Sequence, residues 1–290
     1  MKPALALQLG RISNLPTVWT NVLVGALLTG AQPSGTRLLL LMTAASAFYV
    51  GGMFLNDAFD RGFDAQHRPD RPIPSGQVSA VEVFGWGFGL LALGLAGIGM
   101  VSRGIDGAPA PAALAGAVLL GASIVVYDAW HKNNPLSPLV MGLCRVLLVL
   151  TAALAVGRRL DPPVLWAAGA LLCHLIGLTY AAKQEHLDRL GSWWPLAFLA
   201  MPLAIGVSLA IRQPLALLPL LLYAAMLWPA LAWLKRRARG DVPRAVVTLI
   251  AGMCLLDATF LAGGGYMAAA ALAVGAFALT LALQRWVSGT

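Results

Sequence analysis

The chain has 290 residues, only 11% of them charged, and a mean hydropathy of +0.78. A soluble domain of that length needs far more polar surface, so the composition describes a polytopic membrane protein. The formal charge of +8 does not indicate a nucleic-acid partner, because the basic residues sit in short loops between apolar stretches, where membrane topology accounts for them.

Ten apolar segments follow in chain order, at residues 15–31, 37–55, 79–101, 110–127, 137–157, 162–181, 195–211, 214–234, 244–262 and 266–286. The pattern predicts an all-α polytopic membrane helical bundle of nine to ten transmembrane helices. The first segment has Arg11 before it and no small-residue cleavage pattern, so it reads as a retained span. Cys144, Cys173 and Cys254 all fall inside apolar segments and form no CxxC pair, which reads as buried small hydrophobes. With the N-terminus inside, fourteen basic residues fall on inside loops and five outside, with Arg145 left within a span. That bias predicts a bacterial inner-membrane protein with N-terminus and active site cytoplasmic. Acidic clusters follow the second span of each half. This suggests one membrane domain over 1–290, with pseudo-repeat halves of about 1–135 and 136–240 facing a central cavity.

The most informative stretch is Asn56-Asp57-Ala58-Phe59-Asp60-Arg61-Gly62-Phe63-Asp64, placed where an apolar segment ends. Asp57, Asp60 and Asp64 are spaced i, i+3, i+7, which puts three carboxylates on one helix face. Such a group needs a cation among it. Mg²⁺ suits the site, since it is held by one or two carboxylates plus the oxygens of a phosphorylated substrate. The chain continues Arg68-Pro69-Asp70-Arg71-Pro72-Ile73-Pro74-Ser75-Gly76, a proline-fixed turn that brings Arg68 and Arg71 near the acids. Arginine is suited to bidentate recognition of phosphate. The plain alternative is a solvated loop whose charges pair among themselves.

A second cluster, Lys183-Gln184-Glu185-His186-Leu187-Asp188-Arg189, offers Glu185 and Asp188 as acids and Lys183 and Arg189 as phosphate ligands. A third, Tyr127-Asp128-Ala129-Trp130-His131-Lys132, offers His131 and Lys132 to a diphosphate and Tyr127 or Asp128 to an acceptor, although Tyr and Trp also belong to interfacial belts. Tyr180, Tyr49, Phe48 and Trp130 are aromatic candidates for stabilising a cation. Ionisable groups within spans are costly and face a cavity or partner. On that ground Arg145 is a phosphate-ligand candidate. Asp257 reads as a packing or hydrogen-bonding residue, and the two are left unpaired because they lie at different depths. His174 reads as a satisfied interior histidine.

On these residues the chain resembles the UbiA superfamily of intramembrane prenyltransferases. Asn56-Asp57-x-x-Asp60-x-x-x-Asp64 is similar to that family's first aspartate motif, and Arg71-Pro72-Ile73-Pro74-Ser75-Gly76 to the segment after it. Tyr127 to Lys132 resembles its Tyr-x-x-x-Lys element, shifted by one residue if Lys132 is the lysine, and Arg11 to Asn21 resembles the opening of its first helix. The wording from Trp130 to Arg145 and from Gln184 to Arg189 resembles a divergent, EboC-like branch. The resemblance implies a helical bundle, usually of nine spans, around a cavity, with two Mg²⁺ ions between two acidic motifs binding an isoprenyl diphosphate. Asn56, Asp57, Asp60 and Asp64 then carry the first metal and diphosphate site, and Glu185 and Asp188 the second. Gln184 stands where the family has an aspartate, which weakens the second metal site. The implied activity is Mg²⁺-dependent transfer of an isoprenyl group to a small-molecule aromatic or hydroxyl acceptor within the lipid bilayer. A secondary transporter with two related halves, and a family member that binds prenyl lipid without turnover, remain the alternatives.

Overall fold

The computed structural model describes residues 1–104, 107–132, 134–183 and 194–287. Among these residues the fold is helical and contains no strand beyond one isolated bridge between Arg103 and Pro109. The helices are α1 (Pro3–Leu9), α2 (Leu15–Leu27), α3 (Gly35–Phe59), α4 (Arg61–His67), α5 (Ala80–Val101), α6 (Pro111–Trp130), α7 (Ser137–Val156), α8 (Pro162–Lys183), α9 (Met201–Arg212), α10 (Leu217–Arg236), α11 (Asp241–Gly263) and α12 (Met267–Leu283). Short 3₁₀ turns lead into α2, α9 and α10. All ten apolar segments are helical. Eight of the helical stretches are long and apolar enough to cross a membrane, while α2 and α12 are shorter, at 13 and 17 residues.

Local chemistry sets the helix starts. Ser34 accepts a hydrogen bond from the Arg37 backbone N–H and starts α3, and Ser79 does the same for the Glu82 N–H at α5. Ser79 and Glu82 have the spacing of a capping box. Proline opens α2, α6, α7 and α9, where its missing N–H costs nothing.

In a bilayer the hydrophobic effect does not drive helices together, so close backbone approach matters more. A Cβ on Gly87 of α5 would lie 2.7 Å from Leu55 of α3, and one on Gly94 would lie 2.7 Å from Phe48. Two large apolar cores result, beside a smaller one in which Leu5 and Leu9 of α1 meet Phe54 and Ala58 of α3 and Val83 of α5. Of the large cores, one joins α3, α5 and α6, the other α8, α10, α11 and α12, and α2 and α7 give residues to both, Val22 and Ala152 to the first and Val24 and Val149 to the second. The most enclosed span is α11.

One end of the bundle gathers the close of α3, α6 and α8 and the start of α7 and α11. At the other end, arginines answer helix C-terminal carbonyls, which have no intrahelical partner. Arg37 donates to the Val101 and Ala155 carbonyls at 2.9 and 3.0 Å, Arg158 to Ser102 at 3.1 Å, and Arg159 to Thr29 at 2.8 Å.

Candidate active site

The first acidic motif straddles two helices. α3 ends at Phe59, Asp60 is the junction, and Asp64 lies on α4. The turn stays nearly helical, because the Asp60 and Asp64 N–H groups still reach the Asn56 and Asp60 carbonyls at 2.9 Å. All three aspartates are buried. Their charges are answered by two sets of partners. Asp57 and Asp64 share Arg71, at 3.0 and 3.5 Å, and Asp57 also takes Arg11 at 3.2 Å. Asp60 faces the α6–α7 connection, with Lys132 at 2.9 Å and His131 Nε2 at 3.5 Å.

Burial alone would raise the Asp60 carboxyl. The hydrogen bonds and charges of His131 and Lys132 outweigh it and hold the group below the ordinary carboxylate value. Asp64 goes the other way. Burial raises its carboxyl, Arg71 opposes this, and the charges of Asp60 and Asp57 add to the rise. His131 Nδ1 lies 3.2 and 3.3 Å from the Tyr127 and Asp128 carbonyls and therefore carries its hydrogen, so the contact to Asp60 is an ion pair only as the imidazolium.

Behind the acids lies a cavity of about 260 Å³, lined by Arg11, Asn14, Asn56, Asp60, Arg68 and Arg71 on its polar side and by Tyr49, Met53, Tyr127, Met141, Leu178 and Met253 among others on its apolar side. Arg68 lines it without an ion pair to any described residue. A narrower apolar chamber adjoins it, sharing Tyr49, Met53, Tyr127, Met141 and Arg145. A larger cavity, about 640 Å³, lies at the other end beside Trp166, Ser208 and Arg212. It contains no carboxylate and is remote from every motif, so size alone does not mark the site.

Arg145 is buried at the cavity floor. It donates to Asn21 and Thr17, each at 3.1 Å, and lies 5.3 Å from the centre of the Tyr49 ring. Asn21 in turn donates to Asp257 at 2.7 Å. Arg145 and Asp257 make no direct pair, yet Asn21 couples them, a link that depth along separate helices does not reveal. Lys183 is turned to the Asn134 carbonyl and the Ser137 hydroxyl, both at 2.8 Å, so it ties α8 to the start of α7. Tyr180 packs against the second core and does not line the cavity. Trp130 is exposed and Phe48 is buried core. His174 is fully buried between the Tyr223 hydroxyl and the Leu249 carbonyl, each at 2.8 Å. Gln184, Glu185, Asp188 and Arg189 lie outside the described residues.

Sequence reasoning missed Arg11 as a site residue, using it for topology and for the resemblance of the first helix. Its backbone is left-handed, with φ of 43°, an uncommon state for a residue with a side chain. The turn aims the guanidinium at Asn56 and Asp57. Asn14 was also missed. It donates to the Tyr49 hydroxyl at 3.2 Å and accepts from Gln284 at 2.6 Å, which ties the cavity wall to the end of α12.

The donors here are hard carboxylate oxygens. Among the described residues no three metal-ligating side chains converge on one point. The arrangement fits an ion that takes one or two carboxylates and completes its shell with water and phosphate, which is the habit of Mg²⁺.

The described residues thus form a bundle with membrane-length helices and place acids and arginines at the mouth of a partly apolar cavity. Residues 17–238 match the sequence model of the UbiA prenyltransferase family. The chain is 32% identical over 206 residues to digeranylgeranylglyceryl phosphate synthase of Methanopyrus kandleri, an alignment covering 71% of each chain. It is 33% identical over 128 residues to protoheme IX farnesyltransferase of Korarchaeum cryptofilum, covering 42% of this chain and 41% of that one. In three dimensions it matches a UbiA homologue from Archaeoglobus fulgidus bound to GPP and Mg²⁺, with a TM-score of 0.62 over 91% of this chain and 99% of that one. At 14% identity that match concerns the fold. The chain belongs to the UbiA prenyltransferase family. It is an integral membrane enzyme of that class, which removes the transporter alternative.

Proposed function

We propose that this enzyme transfers an isoprenyl group from a polyprenyl diphosphate to the hydroxyl of a glycerol phosphate-type acceptor, with Mg²⁺. The observation that carries the donor half is the charge layer at the cavity mouth, where Asp57, Asp60 and Asp64 are held by Arg11, Arg71 and Lys132 with Arg68 beside them. The acceptor class rests on the relatives named digeranylgeranylglyceryl phosphate synthase. The bias of basic residues supports a cytoplasmic acidic end.

Asp57, Asp60 and Asp64 would hold Mg²⁺, whose chemistry is to neutralise negative charge on a diphosphate leaving group. Arg68 would take the remaining phosphate oxygens, joined by Arg71, Arg11 and Lys132 as their present carboxylate contacts loosen. Tyr49 and Tyr127 face the cavity, where an aromatic ring stabilises a developing allylic cation by about 1–2 kcal/mol. Met53, Met141, Leu178 and Met253 keep water from the reacting carbon.

The test is binding of geranylgeranyl diphosphate to the purified protein, with and without Mg²⁺, for wild type and Asp60→Ala, followed by turnover with geranylgeranylglyceryl phosphate. The expected result is Mg²⁺-dependent binding lost in the variant, and ether formation by wild type. Binding without turnover would establish a lipid-binding member of the family instead, and no binding to prenyl diphosphates of any length would end the reading.

A further inference from the structure

The mechanism so far lacks an acceptor for the proton that a hydroxyl must lose. Among the buried carboxylates that the mechanism leaves unused, one lines a chamber that adjoins the cavity. Asp128, in the last turn of α6, is 4% exposed. Its Oδ1 accepts from Asn56 Nδ2 at 3.1 Å, while its Oδ2 is buried with no hydrogen-bond partner. Buried polar atoms nearly always have a partner, so an orphan oxygen of this kind calls for an explanation.

The fold holds Asp128 there deliberately. One turn earlier, a Cβ on Gly52 would lie 3.0 Å from Ile124, so the glycine lets α3 and α6 approach closely. Asn56 and Asp128 each stand four residues further on, and their hydrogen bond continues that contact. Asn56 is fixed in its turn by Arg11 at 3.4 Å. Lys132, four residues beyond Asp128, reaches Asp60 at 2.9 Å, so the same end of α6 also faces the acidic motif. Asp128 also lines the apolar chamber beside the main cavity, together with Tyr49, Gly52, Met53 and Met141. That chamber measures about 60 Å³, against about 30 Å³ for one water in the liquid, and so has room for a hydroxyl-bearing carbon.

We propose that Asp128 is the catalytic base of the transfer, its free Oδ2 receiving the proton of an acceptor hydroxyl seated at the chamber mouth. This rests on the hydroxyl-acceptor reading above. The allylic C–O bond to diphosphate breaks and its electron pair leaves with the diphosphate. The hydroxyl oxygen forms the new C–O bond, and its O–H proton passes to Oδ2. An aliphatic hydroxyl is too weak an acid to lose that proton without help, and positioned general bases contribute about 10²–10⁴-fold.

The experiment uses full-length protein in nanodiscs with geranylgeranyl diphosphate, Mg²⁺ and geranylgeranylglyceryl phosphate. Asp128→Asn keeps the shape and the Oδ1 contact but removes the base. Its kcat is expected to fall at least 100-fold, with the KM for geranylgeranyl diphosphate within threefold of wild type and slow diphosphate release retained. Formate added to Asp128→Ala is expected to raise transfer at least tenfold, a rescue that a merely structural carboxylate does not show. Transfer by Asp128→Asn within fivefold of wild type would overturn the assignment. So would a loss that tracks lost prenyl diphosphate binding, or an Asp128→Ala variant that formate leaves unchanged. If wild type itself does not prenylate this acceptor, the acceptor reading fails first and the base assignment with it.

Discussion

Arginine serves two different purposes at the two ends of this bundle. At the acidic end, Arg11 and Arg71 point at carboxylates beside a cavity, and Arg68 lines that cavity with no ion pair to a described residue. At the opposite end, Arg37, Arg158 and Arg159 point at backbone carbonyls that close α2, α5 and α7. Both sets lie at helix ends or in the connections between helices and look alike in composition. They differ in what a ligand can do to them. A carbonyl at a helix end is a permanent partner, so the second set is structural. On the proposed function, a carboxylate that transfers to a metal would free its arginine for phosphate, which would make the first set exchangeable.

The largest effect that sharpens this contrast is expected at Arg71, which serves Asp57 and Asp64 together. Arg71→Ala should weaken geranylgeranyl diphosphate binding about 30-fold or more, since truncating one partner of a buried charge pair costs about 2–5 kcal/mol. The Mg²⁺ concentration for half-saturation should fall at the same time, because two carboxylates lose their competing cation. Titration calorimetry reads both, and parallel weakening of metal and diphosphate would contradict exchange. Arg71→Lys, which keeps the charge without the fork, should fall between.

Arg37→Ala should have the reverse signature. Two charge-assisted bonds to half-buried carbonyls are lost, a cost of about 2 kcal/mol, which lowers the melting temperature by roughly 5 °C. The KM for prenyl diphosphate should stay unchanged. A variant that melts normally but binds substrate poorly would break the comparison.

The smallest effect is in pH. The Asp60 carboxyl sits below its ordinary value, so its ion pairs add stability that is present above the ordinary carboxylate range and lost as pH falls through the lowered value. Asp64 has the opposite sign. Its carboxyl is raised, so its contribution is complete below the ordinary value and is lost as pH rises through the raised one. Asp64 therefore takes its proton first on acidification. Mg²⁺ affinity should begin to fall while Asp60 is still ionised, and Asp64→Asn should remove that first step from a titration of Mg²⁺ binding against pH.

Much of this was legible because membrane insertion imposes a coarse code. Apolar length marked all ten helical segments, and the run from Asn56 to Asp64 marked the acidic end, since three carboxylates closing a span have few purposes. Other features were hidden for identifiable reasons. Arg11 is one basic residue in an N-terminal loop, and only its left-handed backbone turns it toward Asp57. Lys183 reads as a phosphate ligand by its neighbours, but its length lets it reach Ser137 instead. The coupling of Arg145 to Asp257 needs Asn21 from a third helix.

By itself the sequence determined the solvent, the helical class, the number of apolar segments and the residue types of the first acidic site, because these depend on local composition and on spacing along one helix. Tertiary structure decided which cation each aspartate keeps, that Asp57 and Asp64 share one arginine while Asp60 looks to another loop, and that Asp128 is left with an unpaired oxygen. Those outcomes depend on how closely α3 and α6 approach at Gly52 and on which loops meet the α3–α4 junction, and distances between helices are not written in the order of residues along any one of them.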